Sequence, residues 1–274
     1  VHQTRLWVAL IFLPAFFLIV KYLPTFFFLL LIMVVVVLGQ YEFFRLFYAE
    51  ELPPVAYFGL FLGPLSTIGF YFNHFILGLF SLVGILGLLL IFQVFFFKDI
   101  KKVFAETGVV FLGVVYIGWL LGHLVLLRGF QNGEWVVFYL FLVTWAGDSG
   151  AYYTGKIWGK RKLYEAVSPG KTIAGSVGGL VSSVGVSFVG KFLFLPSLSY
   201  VDCLGLGLLL GALGQLGDLT ESLFKRSSGK KDSGQLIPGH GGVLDKVDSL
   251  LFTGPAFYYF LLFIKGLGKG SMVL

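Results

Sequence analysis

Three aspartates and a group of lysines and arginines in the C-terminal half have the types and spacing of a metal-assisted phosphate site. Asp245 and Asp248 are three residues apart, so in a helix they share a face. With Asp218 they offer carboxylate oxygens to a hard cation such as Mg2+, which keeps part of its water shell and takes further ligands from substrate phosphates. Lys225, Arg226, Lys230 and Lys231 lie in or beside the same polar run, Ser222 to Asp248, and would hold phosphate charge, Arg through a bidentate fork and Lys as a point charge. Gly229, Gly234, Gly239, Gly241 and Gly242 let that run approach a ligand closely and turn its amides toward phosphate oxygens. A solvated positive loop would account for the basic residues, but not for three carboxylates at a membrane border.

Two further blocks feed this run. Thr144, Asp148, Tyr152 and Lys156 recur every four residues and form one polar stripe on a helix; Gln215, Asp218, Ser222 and Lys225 form another, with Glu221 and Arg226 adjacent. Either stripe taken alone also reads as ordinary polar glue between membrane helices. The segment Ser168-Pro169-Gly170-Lys171-Thr172 stands directly ahead of a helix, where unpaired amides and the helix dipole favour an anion. It is not a Walker A loop, because Glu165 stands where the first glycine would be. The near match from Gly150 to Lys156 ends in Ile157, which has no hydroxyl for Mg2+.

These residues must be positioned by helices in lipid. Hydrophobic residues make up 57% of the chain, charged residues only 12%, and the mean hydropathy is +0.91, which excludes a soluble domain with a polar surface. Spans of about 20 apolar residues fall at 6–21, 25–48, 55–72, 75–97, 103–127, 134–155, 172–195, 203–225 and 247–264. Continuously apolar runs such as Phe26 to Leu38 argue against the alternating strands of a β-barrel. The expected fold class is all-α, a polytopic membrane bundle of about nine transmembrane helices. The first span, with Arg5 ahead of it, has a signal-like apolar stretch but no small-residue cleavage pattern after it, and reads as a retained helix.

The chain divides in character near residue 134. Residues 1–133 read as lipid-facing and packing spans, in which Glu42 and His123 are bundle contacts; residues 134–274 read as the catalytic region. In the latter, Gly175/Gly179 and Gly207/Gly211 allow close helix approach. With the N-terminus inside, 15 Lys and Arg fall on the cytoplasmic side and 5 on the other, which puts the polar run in the cytoplasm. The net charge of +6 then reflects topology and attraction for anionic membrane lipids and phosphates, and no motif supports nucleic-acid binding. A single cysteine, Cys203, excludes an intramolecular disulfide and a Cys-rich metal site, and the four histidines are too scattered to suggest a zinc cluster.

At this level the chain resembles the phosphatidate cytidylyltransferases, also called CDP-diacylglycerol synthases. The likeness is carried by Ser222, Lys225-Arg226, Lys231-Asp232, Pro238, His240-Gly241-Gly242, Asp245 and Asp248, by Trp145 to Tyr152, and by Ser168 to Thr172 with Gly175, Gly178 and Gly179. It is specific over about 140–250 and general before that. Lys246 departs from the pattern, standing where the family usually has Arg.

The resemblance implies transfer of a cytidylyl group from CTP to phosphatidate drawn from the bilayer, with release of pyrophosphate, in a bacterial inner membrane with the site facing the cytoplasm. It implies Asp218, Asp245 and Asp248 at the metal, a second cation of which K+ is the candidate, and Lys225, Arg226 and Lys231 on phosphates. Ser168, Gly170, Lys171 and Thr172 would form a nucleotide-facing loop, with Ser222, Gly241, Gly242 and Lys246 also on the substrate side. Asp148 is open between metal ligand, support for a ligand and packing contact; His240 is open between phosphate donor and turn former. A homodimer is the assembly considered. Two rivals stand beside this reading: a CTP-dependent polyprenol or lipid kinase, which would yield CDP and a phospholipid, and a transporter in which Asp148 and Asp218 line an ion path. The long Gly-rich loop and the lack of evident inverted repeats count against the transporter.

Overall fold

The computed structural model describes residues 2–72, 75–234, 236 and 241–265. Among them run nine helical rods, matching the nine apolar spans. They are α1 (His2–Tyr22), α2 (Thr25–Phe47), α3 (Pro54–Tyr71), α4 (Phe75–Phe96), α5 (Val103–Gly113) joined to α6 (Leu120–Arg128) by a π-helical stretch (Val114–Trp119), α7 (Gly133–Trp158), α8 (Ile173–Leu193), α9 (Tyr200–Ser227) and α10 (Leu244–Tyr259) with a π-helical end (Phe260–Ile264). Six of these are long and apolar enough to cross a membrane: Thr25–Phe47, Pro54–Tyr71, Val103–Arg128, Ile173–Leu193, Tyr200–Ser227 and Leu244–Ile264. The protein is an all-α integral membrane protein. α7 falls outside those six because its second half carries Asp148, Ser149 and Lys156 in place of apolar residues.

The chain forms two compact units. The first contains residues 1–129 and 228–246, and the second 130–227 and 247–274. The expected division at 133/134 thus differs in one respect: the Gly-rich segment, assigned from its chemistry to the C-terminal region, packs with the N-terminal helices. Sequence order hides this, because the segment's partners lie in α2.

In the first unit α2, α3 and the α5–α6 rod pack together around Phe28, Phe43, Phe44 and Phe70, all fully buried. Lipid is as apolar as these side chains, so close packing rather than water exclusion holds such helices together. Small residues make the contact possible: a Cβ on Gly59 would lie 2.5 Å from Val110 Cγ1, and one on Gly122 would lie 2.3 Å from the Phe70 ring. Gln40 Nε2 donates to the Gly113 carbonyl at 3.3 Å, using the polar side chain as interhelical glue. At the other end of the unit Arg128 donates to the Val20 and Leu23 carbonyls at 2.9 and 3.1 Å, satisfying acceptors at the end of α1.

The second unit is built on α7, α8 and α9, and its contacts are tighter still. Cβ atoms on Gly150 and Gly178 would sit 2.0 Å from Ser182 Oγ and Thr154 Oγ1, so α7 and α8 meet almost backbone to backbone. Gly207 and Gly211 bring α9 against Val184 and Ser183 of α8, as their spacing anticipates. Tyr139, Ser187 and the Cys203 carbonyl form a buried hydrogen-bonded line across the three helices, at 2.5 and 2.7 Å. Between α7 and α8 the chain forms a small antiparallel hairpin, β1 (Lys162–Tyr164) with β2 (Ser168–Thr172). The Ser168–Thr172 segment, expected as a loop, is therefore a strand, its backbone partly committed to the ladder.

Candidate active site

The polar stripe of α9 and the start of α10 converge because of one glycine. A Cβ on Gly217 would stand 2.4 Å from the Asp248 carbonyl oxygen, so only a bare backbone lets α9 lie this close to α10. The contact brings Asp218 beside Asp248. Glu221, one turn further along α9, joins them, and each of the three offers a carboxylate oxygen within 4.8 Å of the others. Glu221 is buried, while Asp218 and Asp248 are half-exposed.

Cations and donors surround the three. Lys171 Nζ, from the end of β2, lies 2.8 Å from Asp218 Oδ2, and Ser222 Oγ donates to Asp218 Oδ1 at 3.4 Å. Lys225 Nζ reaches back one turn to Glu221 Oε2 at 2.7 Å. The Asp248 carboxylate accepts the Ser249 N–H at 2.7 Å. Asp148 of α7 faces the same group, with Asp218, Lys171 and the Ser249 hydroxyl as its electrostatic neighbours. Three carboxylates this close repel one another strongly unless cations stand among them. Three oxygens at this separation, all hard donors, are a set that suits Mg2+ with its remaining positions left to water and phosphate.

The hairpin is tied to this group from both sides. Thr172 caps α8 by accepting the Gly175 N–H at 3.1 Å, and Arg226 Nε donates to the Val167 carbonyl at 3.2 Å. Ser168 is half-exposed, and a Cβ on Gly170 would meet nothing within 4 Å. Lys171, expected to face a nucleotide, is paired with Asp218.

The remaining candidates lie in the first unit. Asp245 Oδ2 accepts the Gly242 N–H at 2.8 Å, closing a turn in which Gly241 takes φ +87°, a conformation that favours glycine. Lys231 and Lys246 are exposed. Pro238, Gly239 and His240 lie outside the described residues. Two acids carry more than their sequence context suggests. Glu221 reads in the sequence only as a neighbour of the α9 stripe, although its spacing from Asp218 and Lys225, three and four residues, puts all three on one face. Glu42, expected as a bundle contact, instead meets the Gly-rich segment.

Residues 3–264 match the model of the cytidylyltransferase family. The chain belongs to that family. Among its cytidylyltransferase relatives, the phosphatidate cytidylyltransferase of Bacillus subtilis (strain 168) is 43% identical over 160 residues, covering 58% of this chain and 59% of the relative. That of Haemophilus influenzae (strain ATCC 51907 / DSM 11121 / KW20 / Rd) is 46% identical over 139 residues, 48% of each chain. That of Staphylococcus aureus (strain COL) is 41% identical over 152 residues, 56% of this chain and 58% of the relative. The chain thus spans about half the length of the curated relatives it matches.

Proposed function

We propose that this cytidylyltransferase-family chain transfers the cytidylyl group of CTP to phosphatidate, giving CDP-diacylglycerol and pyrophosphate for phospholipid synthesis. The observation that carries the reading is the convergence of Asp218, Glu221 and Asp248 beside Lys171 and Lys225 in a chain whose relatives bear that enzyme's name.

The chemistry asks little of a protein base. The second ionisation of a phosphate monoester lies near pH 6, so much of the lipid phosphate is already a dianion at neutral pH. One of its oxygens attacks the α-phosphorus of CTP, a P–O bond forms there, and the bond to the β-phosphate oxygen breaks as pyrophosphate leaves. The barrier lies in bringing two anions together in line and in stabilising charge on the leaving group. Asp218, Glu221 and Asp248 would hold Mg2+, which when bound supplies Lewis-acid charge neutralisation at the phosphoryl oxygens. Lys171 and Lys225 each sit on a carboxylate of that set and are placed to hand their charge to a phosphate as it arrives. Arg226, fixed by the Val167 carbonyl, keeps its guanidinium beside the hairpin, and Ser222 steadies Asp218. Asp245 stays a candidate for the metal, Lys231 and Lys246 for phosphate, and a second cation such as K+ for the reaction. The location we assign is a bacterial cytoplasmic membrane with the Gly-rich segment on the cytoplasmic side, where CTP is available and the lipid enters sideways.

Purified protein in phosphatidate mixed micelles with radiolabelled CTP and Mg2+ tests this reading. Labelled CDP-lipid with stoichiometric pyrophosphate is the expected product pair. CDP with a newly phosphorylated lipid would establish a kinase instead, and no nucleotide turnover would remove both.

A further inference from the structure

Glu42 sits near the C-terminal end of α2, only 2% exposed, and the proposed chemistry makes no use of it. Its Oε2 accepts the Leu244 N–H at 2.8 Å, and the Ser233 hydroxyl stands 3.5 Å from the same oxygen. Leu244 opens α10 and Ser233 lies at the beginning of the Gly-rich run, so one carboxylate meets both ends of that segment. The segment is also shaped around it. A Cβ on Gly234 would lie 2.5 Å from Glu42 Oε1, and one on Gly242 would lie 2.6 Å from Oε2. Neither glycine needs to be glycine for its φ; each is needed because any side chain would displace the carboxylate. One turn further on, the Arg45 carbonyl accepts from Lys230 Nζ, a second tie between α2 and the same segment.

A buried carboxylate is costly and is retained where N–H and O–H donors repay the desolvation. Packing alone would be served better by Leu or Met. We propose that Glu42 is a positioning residue for the phosphate-binding segment: it fixes Ser233 and Gly234 on one side and Gly242 to Leu244 on the other, and with them the first turn of α10 that carries Asp245 and Lys246. The N-terminal spans would then contribute to catalysis through α2. The catalytic part of this inference rests on the proposed reaction; the structural part does not.

The test uses the full chain in detergent, with Glu42→Gln, Glu42→Ala and, as a control on the same helix, Gln40→Met, which removes the bond to Gly113 without touching the segment. Hydrogen exchange of peptides covering 228–246 should speed up about tenfold or more in Glu42→Ala, the effect of losing a charged acceptor for a buried N–H. Glu42→Gln, which keeps the shape and an acceptor oxygen, should recover most of the protection. Exchange in α7 to α9 should not change. In the CTP assay Glu42→Ala should raise the apparent KM for CTP about tenfold with kcat changed far less, because a segment ordered only part of the time weakens apparent binding by that fraction. If Glu42→Ala does not fold, Gly234→Ala, whose methyl group would lie 2.5 Å from Glu42 Oε1, breaks the same tie from the segment side and should speed exchange in 228–246 in the same way. Unchanged exchange in 228–246, exchange raised equally throughout α2 and α3 as in Gln40→Met, or a fall in kcat with KM and exchange intact would each overturn the proposal. A wild-type chain inactive toward CTP and phosphatidate would remove the reaction and leave the exchange comparison to decide the role of Glu42.

Discussion

Asp218 is bonded to Ser222, paired with Lys171 and crowded by Glu221 and Asp248. Asp218→Asn should therefore lower kcat by about 100-fold to 1,000-fold, the usual scale for deleting one group that stabilises developing charge. The variant should remain folded, because an amide of the same shape still accepts from Ser222. Chelation should abolish activity in the wild type and added Mg2+ should restore it; full activity in EDTA would end the metal assignment. Lys246 offers a second residue-scale comparison. It is exposed and one residue from Asp245. If it meets a phosphate, Lys246→Arg should match or improve on the wild type, while Lys246→Ala should weaken apparent substrate affinity about tenfold to a hundredfold. Equal, near-normal constants for the two variants would show that the side chain simply reaches for water at the membrane edge.

At the scale of elements, glycines decide which helices can meet. Gly217→Ala places a methyl group 2.4 Å from the Asp248 carbonyl and must push α9 from α10. Both activity and thermal stability in detergent should fall, with about 1–3 kcal/mol of overpacking at stake. Gly205→Ala on the same helix is the counterpart, since nothing lies within 4 Å of its new methyl group. It should be neutral, or should stabilise by the fraction of a kcal/mol that separates Ala from Gly in a helix. Identical melting shifts for the two variants would refute the contact argument. The spacing of Gly207, Gly211, Gly214 and Gly217 is enough to signal a closely packed face, but not that the partner at Gly217 is the Asp248 carbonyl. The hairpin shows the opposite limit. Ser168 to Thr172 holds proline and glycine and reads as a loop, and only pairing with Lys162–Tyr164 makes it a strand.

On the scale of the whole molecule, the asymmetry of Lys and Arg predicts which way the chain sits. Asp232 is exposed in the Gly-rich segment, and the lone cysteine, Cys203, is buried. Asp232→Cys in a Cys203→Ala background should react with membrane-impermeant maleimide in inside-out vesicles and stay unlabelled in intact cells. Labelling from outside would invert the topology and deny the site cytosolic CTP. The division into two units adds something a linear reading does not contain. Lys230, Lys231, Asp245 and Lys246 belong with α1 to α6, while Asp218, Glu221, Asp248, Lys171 and Lys225 belong with α7 to α9. Residues that look like one cluster along the chain are thus held by two separately packed bodies.

Helix type can be read from the apolar runs of the sequence, because lipid leaves a backbone no partner but itself and such runs can meet that demand only as helices, although six rather than nine of the described helices are long and apolar enough to span. The candidate site is also legible, since carboxylates and basic residues at a membrane border are costly to keep. What the tertiary structure decided is which acids meet. Asp245 and Asp248 share a helix face by spacing, yet the carboxylate beside Asp218 and Asp248 is Glu221, and Asp245 is engaged by the Gly242 amide. Periodicity places side chains around one helix, but the approach of α9 to α10 at Gly217 depends on two helices at once. The same is true of Glu42, whose partners Ser233 and Leu244 are far along the chain and reach it only by folding.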